Sequence, residues 1–166
     1  MNTYQGHFFS LRLLGGFTLI EAMLTLAVLG VLVVMAIPTF GNMMEKRRVM
    51  AAAEAIYSDL RWARSESIKR NIAIRVTFVN GSNWSYTINT DPVKTVNGSD
   101  FPSTSIGTNF SGGDTTFRPV RGTPEEDDGF PDIGSVSLSS SHYSAKVILS
   151  TLGRTRICGI GGYGSC

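Results

Sequence analysis

Two arginines, Arg154 and Arg156, stand two residues apart behind a glycine, in the stretch Gly153-Arg154-Thr155-Arg156. In a strand, that spacing puts both side chains on one side. Each guanidinium presents a planar fork that matches phosphate oxygens, and a glycine lets a backbone approach a ligand closely. Lys146, in an adjoining strand candidate, is placed to join the same surface. Tyr163, between Cys158 and Cys166, offers a ring on which a base could stack. The chemistry these residue types supply is the binding of a polyanion. A plainer role is open to them as well, since solvated arginines on an edge strand deter aggregation.

Catalysis has no comparable set of residues. The chain contains no Gly-x-Ser-x-Gly, no Walker loop and no His-Glu-x-x-His. The two histidines, His7 and His142, offer no spacing that would complete a metal site with Cys158 and Cys166. The expectation is a protein that is not an enzyme, with no catalytic residue, metal or cofactor. The acidic run Glu125-Glu126-Asp127-Asp128, with Asp132 nearby, has oxygen ligands for calcium but lacks the EF-hand spacing. A solvated loop is the plainer reading. Folded beside the arginines, it would repel a polyanion.

One carboxylate stands apart from the others. From Phe17 to Phe40 the chain is apolar, and Glu21 is its only charged residue. About 20 apolar residues span a bilayer core, and a charge at its centre costs about 2.5–3.5 kcal/mol. Glu21 is therefore either functional or tolerated near the membrane surface. Residues 1–16 hold one basic residue, Arg12, and no acid, and they end in Gly15-Gly16. An ordinary secretory signal is cut after its apolar segment. Here the candidate cut, between Gly16 and Phe17, precedes it and would leave the apolar helix on the mature chain.

Gly16-Phe17-Thr18-Leu19-Ile20-Glu21 followed by an apolar helix resembles the prepilin signature of type IV pilins and type II secretion pseudopilins. The resemblance implies cleavage after Gly16 and N-methylation of Phe17 by a prepilin peptidase. It also implies that Glu21 meets the charged N-terminus of a neighbouring subunit during assembly, where the amine compensates an otherwise costly buried carboxylate. With one long helix and a β-rich domain closing on Leu-Gly-Arg-Thr-Arg-Ile-Cys, the chain resembles the FimT/FimU/GspH group of minor pilins and pseudopilins. It is most similar to the FimT-type minor pilins, in which a Gly-Arg-x-Arg motif binds DNA during natural transformation. That motif maps onto Gly153, Arg154 and Arg156. The implied function is non-specific DNA binding in uptake. The alternative is a structural minor pilin or type II secretion pseudopilin that primes filament assembly at the tip. Implied partners are other pilin subunits, the prepilin peptidase, DNA and the membrane. The implied location is the bacterial inner membrane, as a single-pass protein, and then the periplasm or pilus.

The implied fold is α+β and type IV pilin-like: one long N-terminal helix, its first half transmembrane, packed on a C-terminal antiparallel β-sheet domain. The chain divides into a leader (1–16), a transmembrane and assembly helix (17–40), an amphipathic helix (41–70) and a β-rich domain with a glycine-rich tail (71–166). Gly30 and Pro38 interrupt the helical pattern, and Pro38 removes a backbone donor. Val49, Ala53, Ile56, Leu60, Ala63 and Ser67 recur at spacings of three and four, which is one helical face. Its small members suit close packing on a sheet. Strand candidates are 72–79, 84–89, 115–120, 135–140 and 144–150, with Asn80-Gly81 signalling a hairpin. Segments 90–114 and 121–134 read as long loops. An exported domain sits where disulfides persist, so Cys158 and Cys166 could close a small loop, worth about 2.5 kcal/mol in the chain-entropy model. The alternative is two free thiols. Without residues 1–16 the chain keeps 14 basic and 13 acidic residues, because only Arg12 is lost. Global charge therefore says little about partners, and local clusters must decide.

The Gly16–Phe17 junction predicts the mature mass. Protein from its native membrane should lack residues 1–16 and carry one methyl group on Phe17. Intact-mass measurement finding an N-terminus beyond Leu19 would remove the prepilin reading.

Overall fold

A computed structural model describes residues 16–126 and 129–166, and within 35–39 the backbone alone. Leader residues 1–15, Asp127 and Asp128 lie outside the described residues. The chain forms two units, residues 1–39 and 40–166.

In the first unit, helix α1 begins at Leu19; the helix as a whole is Leu19–Arg70. Thr18 Oγ1 accepts the N–H of Glu21 at 3.3 Å. Thr-x-x-Glu at a helix start is the capping-box pattern, and a carboxylate in the first turn suits the positive end of the helix dipole. Glu21 thus has a local helical role that its isolation in an apolar run did not suggest. The helical backbone continues through Gly30 and Pro38 rather than stopping there; proline removes one donor, and its neighbours' bonds persist. Large apolar side chains in this unit, Leu24, Leu26 and Val31 among them, are exposed. Among the described residues no helix is long and apolar enough to cross a membrane. The apolar run expected over 17–40 includes residues 35–39, whose side chains lie outside the described residues.

The second unit packs the C-terminal part of α1 on two antiparallel sheets. The strands are β1 (Ile74–Val79), β2 (Ser85–Ile88), β3 (Lys94–Asn97), β4 (Ser105–Thr108), β5 (Asp114–Phe117), β6 (Pro124–Glu125), β7 (Gly134–Ser139), β8 (Ser144–Leu149) and β9 (Thr155–Cys158). The first sheet runs β3-β2-β1-β5-β6 and the second β4-β7-β8-β9. Gly81 and Ile106 exchange backbone hydrogen bonds of 2.9 and 3.2 Å and so tie the two sheets together. The expected helical face is the core face: Val49, Ala53, Ile56, Leu60, Ala63 and Ser67 are all buried. They meet Ile74, Val76, Ile88 and Phe117 of the first sheet and Val136, Leu138, Val147 and Leu149 of the second.

The strand expectations need three corrections. The 115–120 candidate stops at Phe117, because Pro119 has no N–H for a ladder and Val120 takes a left-handed φ of 73°. The 90–114 loop contains β3 and β4, and the 121–134 loop contains β6. These strands are only two to four residues long, so their pairing comes from neighbours rather than from a local pattern long enough to read.

Helix α1 is also fastened to the β7–β8 turn. Glu45 accepts the backbone N–H of His142 at 3.0 Å, and its other oxygen lies 3.0 Å from His142 Nδ1. Hydrogen bonds from the Ser140 hydroxyl and then from His142 hold the Glu45 carboxyl down from its ordinary 4.5 to about 2. A depressed carboxyl contributes stability at pH above its unfolded value and loses it as pH falls through the folded one. Glu45 should therefore make thermal stability fall between about pH 4.5 and 2. Circular-dichroism melts across that window should show a shallower acid loss for Glu45→Gln than for wild type. Equal slopes would show that the clamp does not contribute.

Candidate functional site

The candidate arginines sit where β8 turns into β9. Gly153 N–H donates to Ser150 O at 2.8 Å, Ser150 N–H to Arg154 O at 3.0 Å, and Arg154 N–H to Ser150 Oγ at 3.2 Å. Gly153 adopts φ 72°, which favours glycine. A Cβ there would meet Gly122 O at 2.6 Å and the Arg64 side chain at 2.9 Å. Gly153 is thus a packing requirement of this turn, independent of any ligand.

Arg156 lies in β9 opposite Ile148. Its side chain is on the outer face, and along β8 Lys146 is half-buried two residues from Ile148 on the same face. Arg156 and Lys146 are therefore diagonal neighbours, about 7–8 Å apart at the backbone. Arg154 precedes the strand, so the two arginines do not share a strand face through a period of two. They converge by another route. With Ile148, Ser150 and Thr155 they line a shallow groove of about 370 Å³.

Arg154 also lines a second depression of about 500 Å³ against α1, with Tyr57, Arg61, Arg64, Ser65, Ile68, Gly153 and Thr155. Arg61 and Arg64 were not among the sequence candidates. The available signal was the spacing of Tyr57, Arg61, Arg64 and Ile68, a helical stripe adjoining the core face. Arg61 Nη1 donates to Tyr57 Oη at 3.1 Å, and its guanidinium lies 5.4 Å from the Tyr57 ring centroid. Arg64 is half-buried and donates from Nη1 to Gly153 O at 3.1 Å. Its Nε is buried with no hydrogen-bond partner among the described residues. A buried unsatisfied donor costs about 1–3 kcal/mol.

Charge is segregated within the domain. Arg75 pairs with Asp114 at 3.3 Å, Arg118 with Glu125 at 3.5 Å, and Lys94 with Asp59. Among the described residues Arg61, Arg64, Lys146, Arg154 and Arg156 have no such carboxylate partner. Among the described residues no carboxylate lines either arginine depression. The acids Asp114, Glu125 and Glu126 instead line a separate cleft with Thr115 and Thr116 on the first sheet. Burial raises the Asp132 carboxyl, and Glu126 and Asp114 add to the effect. Among the described residues no group of three or more potential ligands is placed to hold a metal ion.

The tail closes on itself. Cys158 and Cys166 form a disulfide with a Cα–Cα distance of 5.2 Å, and Gly159 N–H donates to Gly164 O at 3.0 Å. Tyr163, whose ring is exposed, is not among the residues that line either arginine depression. Its hydroxyl donates to Glu54 Oε1 at 3.3 Å, fastening the tail to α1. Burial first, and then Glu54, raises the Tyr163 phenol above its ordinary value.

Residues 52–153 match the family model described as type II transport protein GspH. The match ends at Gly153, so Arg154 and Arg156 lie just beyond it. The fold is similar to the crystal structure of the type IV minor pilin FimU of Pseudomonas aeruginosa (strain PAO1). The TM-score is 0.55 and the identity 17%, over 69% of this chain and 91% of that one. No curated protein sequence matches at a significant level. The chain belongs to the GspH family of type II transport proteins and is built on the type IV pilin-like α+β fold.

Proposed function

We propose that this chain is a minor pilin that binds DNA without strong sequence preference through Arg154 and Arg156, with Gly153 shaping the turn and Lys146 flanking it, during uptake in natural transformation. The observation that carries this reading is the pair of arginines that, among the described residues, have no carboxylate partner and share a groove that no acid lines. Such a surface reaches phosphates but presents no helix or ribbon to read base edges, so it positions without specifying. In this reading the prepilin peptidase cleaves after Gly16, the apolar helix holds the subunit in the inner membrane as a single pass, and Glu21 pairs with a neighbouring subunit's N-terminus. The description of the matching family as a type II transport protein favours a second reading: a structural subunit that primes a pilus or secretion pseudopilus.

The position of Glu21 in the first helical turn, behind the Thr18 cap, sharpens the assembly test. Glu21→Gln keeps a residue suited to the capping box and removes the charge. It should leave processing intact and reduce the subunit in sheared filaments. Wild-type incorporation would restrict Glu21 to its helical role.

Non-specific binding typically lies at about 10⁻⁴ to 10⁻⁶ M and weakens with salt. With two to four cations engaged, log K against log salt should slope roughly −2 to −4 on duplex DNA. The mature protein in neutral detergent, titrated with duplex DNA at two salt concentrations, should show this. Arg154→Gln with Arg156→Gln should remove most of the binding and flatten the slope, whereas neutralising Lys46, Arg47 and Arg48 should matter less. Undiminished binding by the double variant would move the site elsewhere. Absence of wild-type binding at low salt would leave the structural reading.

A further inference from the structure

We propose that the cleft between α1 and the β8–β9 turn is a second phosphate subsite, in which Arg61 and Arg64 extend the DNA track from the tail onto the helix. This rests on the DNA-binding reading and deepens it. The two depressions have Arg154 and Thr155 in common, so Arg154 stands at the junction between them. The cationic path therefore runs from Arg61 and Arg64 on the helix, past Arg154 at the turn, to Arg156 on the sheet face.

Three observations point to an anionic occupant. First, three arginines line one cleft without a carboxylate among its described residues, an arrangement that self-repels until an anion enters. Second, Arg61 is already ordered: the Tyr57 ring supports its guanidinium and Tyr57 Oη accepts from Nη1, so less freedom is lost on binding. Third, Arg64 makes one hydrogen bond to Gly153 O and leaves a buried Nε unsatisfied. A phosphate drawing this guanidinium toward the cleft would give that donor a partner. The charged groups facing the cleft are Arg61, Arg64 and Arg154. Glu54, on the same helical stripe, is occupied by the Tyr163 hydroxyl. The occupant is a phosphodiester chain rather than a lone ion, because the cleft continues into the Arg154–Arg156 groove.

The test uses the mature full-length protein in neutral detergent. Arg61→Gln removes an exposed side chain whose bond among the described residues is to Tyr57, and it should leave the melting temperature unchanged. It should lower the magnitude of the salt slope on duplex DNA by roughly 1, as expected for one lost phosphate contact. Arg64→Lys keeps the charge and loses the fork, and its melting temperature reports any loss of the Gly153 contact. In ¹⁵N spectra, the Arg64 Nε–H resonance should shift with DNA and not with inorganic phosphate at matched ionic strength. A wild-type salt slope in Arg61→Gln, with the Arg154 and Arg156 double variant still defective, would overturn this extension and leave the tail site standing. Saturation of the Arg64 shift by inorganic phosphate alone would also overturn it, reassigning the cleft to a free anion. Failure of wild type to bind DNA at all would instead remove the reading on which the extension rests.

Discussion

Everything in the globular unit depends on how closely α1 can approach two sheets at once. Ala52, Ala53 and Ala63 are fully buried and put little between the helix backbone and the strands. Ile56 and Leu60 fill the spaces between them against both sheets. Burying apolar surface contributes about 25 cal/mol per Å², and dense packing penalises an added methylene as well as a missing one. That contact fixes where the outer stripe of the same helix lies. Met50, Glu54, Arg64 and Ile68 then fall against the tail and the turns: Met50 against Gly161, Glu54 against Tyr163, Arg64 against Gly153 and Ile68 against Gly122.

The same geometry sorts the charges. Asp59 is nearly buried under the first sheet, yet it accepts from Tyr86 Oη at 2.8 Å and pairs with Lys94, so its desolvation is compensated. Burial, followed by the Asp59 charge, pushes the Tyr86 phenol far above its ordinary range and keeps it a donor. Cations around the first sheet are matched by acids in this way. Around the β8–β9 turn, among the described residues, they are not, although the chain as a whole is close to neutral. A nearly neutral protein can therefore present a locally cationic surface, which its total charge conceals.

Two loops make that surface a shaped one. Gly122 and Gly153, both at positive φ, allow the β5–β6 and β8–β9 turns to touch across Arg64. Any side chain at Gly153 would strike the Gly122 carbonyl. A glycine that reads in sequence as room for a ligand is, in the fold, room for another loop. The disulfide and the Tyr163–Glu54 bond anchor the chain after β9 at the other end of the strand.

The sequence by itself determined the helix, its buried face, the strands from β7 onward in the 135–150 region and the β1–β2 hairpin. Each rests on local periodicity or, for the hairpin, on the Asn80-Gly81 turn signal, which a chain carries whatever its partners. It also singled out Arg154 and Arg156 as candidates by residue type, whereas their expected common strand face is not formed because Arg154 precedes β9. The tertiary structure alone decided which cations join them. Arg61 and Arg64 are some 90 residues away along the chain, and they look like ordinary solvated helix positions until a turn packs on them. It also decided that the Tyr163 hydroxyl is fastened to the helix, and that β3, β4 and β6 form at all. Those outcomes depend on long-range pairing or on one hydrogen bond of specific geometry, and neither leaves a periodic trace in the sequence.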